Sequence, residues 1–424
     1  MKMKKVISGM CAALLLFSSC VGCNTTGKTN NAESQSSAAA QKTNLEYFQI
    51  KTETVDTVNG IIKQFEAKNP GVTIQQNPQS SGLTLWPTRI ASNDPPAIFN
   101  EYTHNASFIQ ACKNGLVKDL TGDPLLENVD PSIVKIGLVD GKSYIVPIAL
   151  ATWGVIYNAD LFKKYNISVP QTYDELMAVC KKLKAAGVTP FEIADKDPTF
   201  CYQTATPEFG LYVNDIENLF DKVIDGKDKL STNADVKKLA QRLYDQHVTY
   251  AEKGAEGVDV TTAINDFANG KAAMLFDGTW GIQAIMKANS NFNYGIFPLP
   301  ADDASNTKIT IQIDTGLGFP SKDTHYTEAK QFVSFMSSEE QAQKYCDATS
   351  YLPAIKGVKN HVTKLNTFET LIQQGKIYPV LARKFPQASN TMDFGKALQN
   401  YYLTGNSDQF LKQLDTIFFN GKNS

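Results

Sequence analysis

The sequence predicts an α/β protein with helices in the majority, folded as two lobes. Three observations carry this reading. Once a polar N-terminal stretch is set aside, roughly 380 residues remain, more than one hydrophobic core usually organises. The first elements alternate strand, helix and strand, the succession that builds a parallel sheet. Helical periodicity then recurs to the C-terminus with only short strand-like runs between.

Taken in order, residues 45–50 read as a strand, and Val58, Ile61, Ile62 and Phe65 follow at the spacing of an amphipathic helix. Asn69-Pro70-Gly71 stops that helix and residues 72–75 read as the next strand. Residues 97–99 form a short apolar strand after Pro95-Pro96, and a helix beginning near Phe108 ends at Asn114-Gly115. Thr172-Tyr173-Asp174-Glu175 is a capping box, in which a hydroxyl and a carboxylate satisfy the free amides of a helix start. Leu176, Met177, Val179, Cys180 and Leu183 give that helix its apolar face up to Gly187. Further helical patterns cover 236–247, 264–267, 282–286, 329–336 and 410–419, and strand-like runs lie at 272–276, 294–297 and 309–319.

The N-terminus has its own logic. Lys2, Lys4 and Lys5 precede an uncharged run over 6–17, too short to span a bilayer and laid out as a secretory signal peptide. Residues 24–43 are Ser, Thr, Asn, Gln and Ala with no large apolar side chain, which predicts a disordered leash. Cys20 and Cys23 stand between the two. A cysteine there resembles the bacterial lipobox, where the signal is cut before a lipidated Cys. Phe17-Ser18-Ser19 before Cys20 fits that pattern, and Val21-Gly22 before Cys23 fits it at two positions, so Cys20 or Cys23 is the expected lipid carrier, with Cys20 preferred. The expectation is a protein held by lipid on the extracytoplasmic side of the cell membrane.

The formal charge is −2, and removing the three leader lysines takes it to −5 with no Lys/Arg cluster, which excludes nucleic acid as a partner. Cys112, Cys180, Cys201 and Cys346 are too widely spaced for a zinc knuckle or a dense disulfide scaffold. Buried free thiols are preferred, with a Cys180–Cys201 pair as the alternative.

Four segments in order then carry a resemblance: FEAKNPGVTIQ, YIVPIALATWGVIYNADLFKKYNISVPQTYDEL, FANGKAAMLFDGTW with NYGIFPLP, and SSEEQAQKYCDATSYLPAIKGV. Together they resemble the carbohydrate-binding solute-binding proteins of bacterial ABC importers, extracellular solute-binding protein family 1, related to maltose-binding protein. The resemblance implies a two-lobed periplasmic-binding-protein-like fold of type II, discontinuous in sequence and joined by a hinge. Its connections would fall near 148–153, 298–300 and 337–340. The implied division is 1–19 signal peptide, 20–43 lipidated leash, 44–150 and 300–337 N-terminal lobe, and 151–299 and 338–424 C-terminal lobe. It further implies a monomer that captures a mono- or oligosaccharide and delivers it to a membrane permease, with no cofactor and no metal.

A sugar presents hydroxyls that want fixed hydrogen-bond partners and ring faces that lie flat on aromatic rings. Trp280, after the strand AAMLFD, matches the position where the family commonly stacks on sugar; the alternative is a core anchor for the next helix. Trp153 lies in the first connection and Trp86 in Leu85-Trp86-Pro87, each with lobe packing as the alternative. Among polar candidates, Glu53 follows the first strand, and Asn100, Tyr102 and His104 follow the strand ending at Phe99. Asp314 interrupts an apolar run, where a charge is costly unless partnered or wet. Asp277 and Tyr351 complete the set. Ala151 stands where maltose-binding protein has an acidic ligand-binding residue, which argues against maltose-like recognition.

Three rivals remain at this point. A glycan-active enzyme would need a located pair of carboxylates, and no G-x-S-x-G, P-loop or H-E-x-x-H motif appears; His104, His247, His325 and His361 are scattered. The same fold could instead bind a polyamine, an organic acid or a metal chelate, the first needing clustered acids and an anion needing basic groups or helix N-termini. A lipid-anchored surface protein that holds glycan without delivering it to a permease is the third, and lobe closure on binding would argue against it.

Overall fold

The computed structural model describes residues 42–79, 81–323, 325–387 and 389–419. The signal peptide, nearly all of the leash, and Cys20 and Cys23 lie outside the described residues. Among these residues ten strands form: β1 (Thr43–Gln49), β2 (Val72–Pro78), β3 (Ile98–Asn100), β4 (Val146–Asn158), β5 (Thr189–Glu192), β6 (Ala272–Gly278), β7 (Tyr294–Phe297), β8 (Ile309–Gly318), β9 (Leu352–Pro353) and β10 (Ile377–Pro379). β1 takes in Thr43, the last residue assigned to the leash.

The strands connect in the order β2-β1-β3-β8-β4-β6-β5, with β10 on β8 and with β7 and β9 on β4. β1 runs parallel to β2 and β3, whereas β8 is antiparallel to both β3 and β4. β4 is the shared member. Its residues from Val146 to Thr152 pair with β8, and those from Trp153 to Asn158 pair with β6 and β7. The period-2 alternation of a strand sends its side chains into two cores. Ile148, Leu150 and Ile156 join one hydrophobic cluster, while Trp153 and Val155 join the other.

The first cluster is built on β1, β3 and β8. The helix Val55–Lys68 lays Val58, Ile61, Ile62 and Phe65 onto it, as the periodicity predicts. The helix Glu339–Thr349 buries Ala342, Tyr345 and Cys346 in this same cluster, as do Phe267, Ile282, Ile285 and Ile296 from the stretch between β5 and β8. The second cluster gathers the helices Tyr173–Ala185, Pro198–Tyr212, Ala234–Tyr244, Asn390–Thr404 and Ser407–Phe418. Thr172 caps the first of these: its hydroxyl accepts the Glu175 N–H at 3.3 Å, and the Glu175 carboxylate reaches back to the Gln171 N–H at 2.7 Å. The helix Pro198–Tyr212 has no predicted counterpart, because Pro207 interrupts it and buried residues surround it on every face.

The segment leading from β7 to β8 is held to the second cluster. Arg242 lies between the rings of Tyr173 and Tyr212, 3.9 and 4.2 Å from their centroids, and ion-pairs with Asp302. Tyr212 donates its hydroxyl to the Pro300 carbonyl at 2.8 Å, and the Tyr173 N–H donates to the Ala301 carbonyl at 2.9 Å.

Cys112, Cys180, Cys201 and Cys346 are free and buried. Among the described residues no helix is long and apolar enough to cross a membrane. Trp86 is wholly buried against Phe99 and Phe108, with ring centroids 4.9 and 5.8 Å away. Trp86→Ala should therefore cost about 3–5 kcal/mol of unfolding free energy, read from urea denaturation. A cost below about 1 kcal/mol would show that the indole is not a core element.

Candidate ligand-binding site

Parallel strands deliver the residues after their carboxyl ends to one edge of a sheet, which is where α/β proteins place ligands. Lys51 and Glu53 follow β1, and Glu101, Tyr102 and His104 follow β3. Because β8 runs the other way, residues preceding its Leu317–Asn100 pairing extend past that edge. Asp314 is brought there in this way. Tyr351 arrives from the opposite direction: Ser350, with φ 58°, turns the chain sharply after the helix Glu339–Thr349.

These residues meet around one buried ammonium. Lys51 Nζ donates to Asp314 Oδ1 at 2.6 Å and to the Tyr351 hydroxyl at 3.2 Å, and lies 3.4 Å from Glu53 Oε1. It also faces the rings of Tyr351 and Tyr102, at 4.9 and 5.8 Å. The Tyr351 hydroxyl donates to Glu53 Oε1 at 3.4 Å, and Gln312 donates to Asp314 at 3.5 Å. Thr315 shares a 2.8 Å hydrogen bond with the Tyr345 hydroxyl. Burial works against the Lys51 charge, but Asp314 and the surrounding tyrosines outweigh it and hold its pKa well above the ordinary value. Burial raises the pKa of Asp314, with Lys51 opposing. His104 stacks on Tyr102 with centroids 5.2 Å apart and planes 15° apart, and burial lowers it to about 4, so the imidazole is neutral.

The second group is carried by β6. Asp277 pairs opposite Gly154 and Gly278 opposite Trp153, and the Thr279 N–H donates to the Thr152 carbonyl at 2.9 Å. Asp277 accepts the Gly278 N–H at 2.7 Å, and burial pushes its pKa up to about 7. Trp280 is half-buried and perpendicular to buried Trp153, at 4.9 Å and 88°. Its indole folds back over Gly278, where any Cβ would overlap the ring.

Of the residues singled out from sequence, Glu53, Tyr102, Asp314 and Tyr351 converge on Lys51, with His104 stacked behind Tyr102. Trp153, Asp277 and Trp280 form the second group on the adjoining ladder. Asn100 is fully buried at the end of β3, and Trp86 contacts Phe99 and Phe108 rather than the Lys51 set. Lys51, Thr315 and Tyr345 escaped the sequence reading. A lysine after a strand reads as a solvated end; only Asp314, 263 positions away, makes it a centre.

The chain belongs to the bacterial extracellular solute-binding proteins, whose family model matches residues 60–380. It is therefore a binding protein working outside the cytoplasm, not an enzyme. A multiple sugar-binding protein of Streptococcus mutans is 27% identical over 396 residues, covering 92% of this chain and 93% of its own. The melibiose/raffinose/stachyose-binding protein MelE of Bacillus subtilis is 25% identical over 84% of each chain. The solved structure of RafE in complex with raffinose superposes with a TM-score of 0.74 at 26% identity, covering 89% of this chain and 99% of that one. The fold is accordingly the two-lobed one of such proteins.

Removing one member of a buried ion pair strands the other. Lys51→Met should destabilise the protein by about 3–5 kcal/mol, and Lys51→Met with Asp314→Leu should recover most of that loss in the same denaturation assay. A carboxyl with a raised folded pKa contributes stability that is complete at low pH and lost as pH rises toward that pKa. Asp277 does this on the way to about 7, and Glu101, raised by burial to about 8, adds to the trend. Unfolding free energy should thus decline from about pH 4 to about pH 7, and Asp277→Asn should flatten the slope by up to about 1.4 kcal/mol per pH unit. Parallel slopes would mean that Asp277 is ionised throughout.

Proposed function

We propose that the protein is the carbohydrate-binding component of an ABC importer, taking a neutral sugar into the cleft between its lobes and delivering it to a membrane permease. One observation carries the reading: a floor of fixed donors and acceptors, centred on Lys51, Asp314, Glu53 and Tyr351, lies on the same ladder system as a half-buried tryptophan. Hydroxyls suit the first surface and a sugar ring face suits the second. In a perpendicular aromatic pair one ring lends its face to the other's edge. Trp280, the more exposed of the two, is the plate available for stacking.

An amine or an acid would need surplus charge of one sign. Here Lys51 faces both Asp314 and Glu53 and His104 is neutral, so no positive charge is left over for an acid, and one carboxylate in excess falls short of the clustered acids a polyamine needs, which favours an uncharged hydroxyl-rich solute. The binding of raffinose and related sugars by similar proteins supports the same class. The working cycle we assign is capture between open lobes, hinge closure, and docking of the closed monomer. Closure stabilises the complex only through contacts absent from the open form. Lipidation at Cys20 or Cys23 would keep the protein beside its permease on the outer face of the membrane.

Titration calorimetry against panels of oligosaccharides, polyamines and organic acids tests this. The expected result is a saturable response to a sugar, weakened at least tenfold by Trp280→Ala, equivalent to about 1.4 kcal/mol. A response confined to amines or acids would overturn the ligand class while leaving the fold in place.

A further inference from the structure

The second cluster surrounds titratable groups that the ligand site does not use. His247 and Asp195 are both buried, and His247 Nδ1 lies 2.8 Å from Asp195 Oδ1. The imidazole also stacks on Tyr402, with centroids 4.3 Å apart and planes 11° apart. A local irregularity carries it: the Tyr250 N–H donates to the Asp245 carbonyl at 2.8 Å, so residues 245–249 close a π-turn after the helix Ala234–Tyr244.

The carboxylate it pairs with stands at the ligand edge. β5 and β6 run parallel, with Glu192 opposite Leu275. Asp195 lies as far beyond Glu192 as Gly278 lies beyond Leu275, which brings it level with the turn that carries Asp277 and Trp280. The loop 195–199 thus leaves the strand next to the proposed aromatic plate, beyond the carboxyl ends of both strands. Gln399 also holds that loop, donating to the Asp195 and Lys196 carbonyls at 2.7 and 3.0 Å.

The groups that face the imidazole are acids or neutral. Asp195 comes from the end of β5, Glu252 from the segment after the π-turn, and Tyr402 from the helix Asn390–Thr404. The helix Pro198–Tyr212 supplies Glu208 and also Cys201, whose thiol is 3.5 Å from Asp195 Oδ1. Burial works against the His247 cation, but Asp195, with Glu208 and Glu252 behind it, outweighs burial and raises its pKa above the ordinary 6.5. Burial raises Glu208 to about 7, with His247 and Arg242 opposing. It also raises Glu252, and pushes Glu192 beside it to about 8. A histidine raised in this way is fully paired below about pH 6.5 and loses its charge as the pH climbs through the folded value. Asp195 is then a buried carboxylate without its countercharge, which is costly to keep.

We infer that His247 is a positioning residue that makes solute binding depend on pH. Paired, it holds Asp195 and the loop 195–199 beside Trp280. Unpaired, it frees them, so solute is held more tightly in mildly acidic surroundings than in alkaline ones. The solute part of this inference rests on the carbohydrate reading above; the pairing and its release do not.

Measurements on the full chain test both parts. With carbon-labelled histidine, the imidazole resonance that disappears in His247→Asn belongs to His247, and it should titrate above 6.5. Hydrogen exchange of amides 193–201, corrected for the intrinsic effect of pH, should speed up between about pH 6 and about pH 9 without any sugar present. Asp195→Asn keeps the shape of the side chain and removes the stranded charge, so it should suppress most of that rise. His247→Asn keeps a donor near the Nδ1 position but cannot titrate, and should suppress it too. In calorimetry with raffinose, affinity should fall by about tenfold over the same range, and either variant should leave only the slope that Asp277 contributes. An imidazole that titrates at or below 6.5, or loop exchange that ignores pH, would overturn the pairing as a switch. A slope in raffinose affinity that survives Asp195→Asn intact would overturn its coupling to solute. No binding of raffinose at any pH would overturn the solute part and leave the pairing to stand or fall on the imidazole and the loop.

Discussion

The structure depends on one strand. β4 runs for thirteen residues, buried at all but Tyr157, and its peptide groups have no water to turn to. They are satisfied by β8 and β9 over the first half and by β6 and β7 over the second. Asp314 lies between two partners of the β4 bulge region, and Asp277 lies opposite Gly154. Asp314 of the polar floor and the group around Trp280 are therefore spaced along a single strand, through its two ladders. Loops alone could not fix such a relation, since their backbone groups bond to solvent and leave them free to move.

The Lys51–Asp314 pair shows what that rigidity is for. Taking two charges out of water costs several kcal/mol each, and a matched pair of apolar residues often does as well for stability. Its value is geometric. An ammonium held by a carboxylate, a phenol and a second carboxylate has a fixed direction in space, and in the binding role proposed for it a fixed donor would lose less entropy when a ligand arrives. Neutral His104 behind Tyr102 adds stiffness without adding charge.

Much of this was legible in the sequence where a local signal existed. Val58 to Phe65, the Thr172 cap and the Asn114-Gly115 stop all announce themselves within a few residues, and the structure repeats them with small changes of boundary. Asp314 stood out because a charge within Ile309–Gly318 needs a reason. β4 gave no such signal as a strand: Ala149, Ala151 and Thr152 are small and buried on both faces, so no alternation is visible. The helix Pro198–Tyr212 was hidden by Pro207. Lys51 and Tyr345 were hidden for a different reason, because their meaning lies in partners hundreds or tens of positions away.

The way Trp280 rests on Gly278 has a broader implication. The orientation of the aromatic plate is set by an atom that is not there, on a residue that offers a ligand no side chain at all. If Trp280 stacks on solute as proposed, a short route to a new specificity runs through that neighbour, where one added carbon would displace the ring. Surveys of specificity that compare only the side chains facing the cleft would miss the change, and two proteins with identical cleft residues could prefer different solutes.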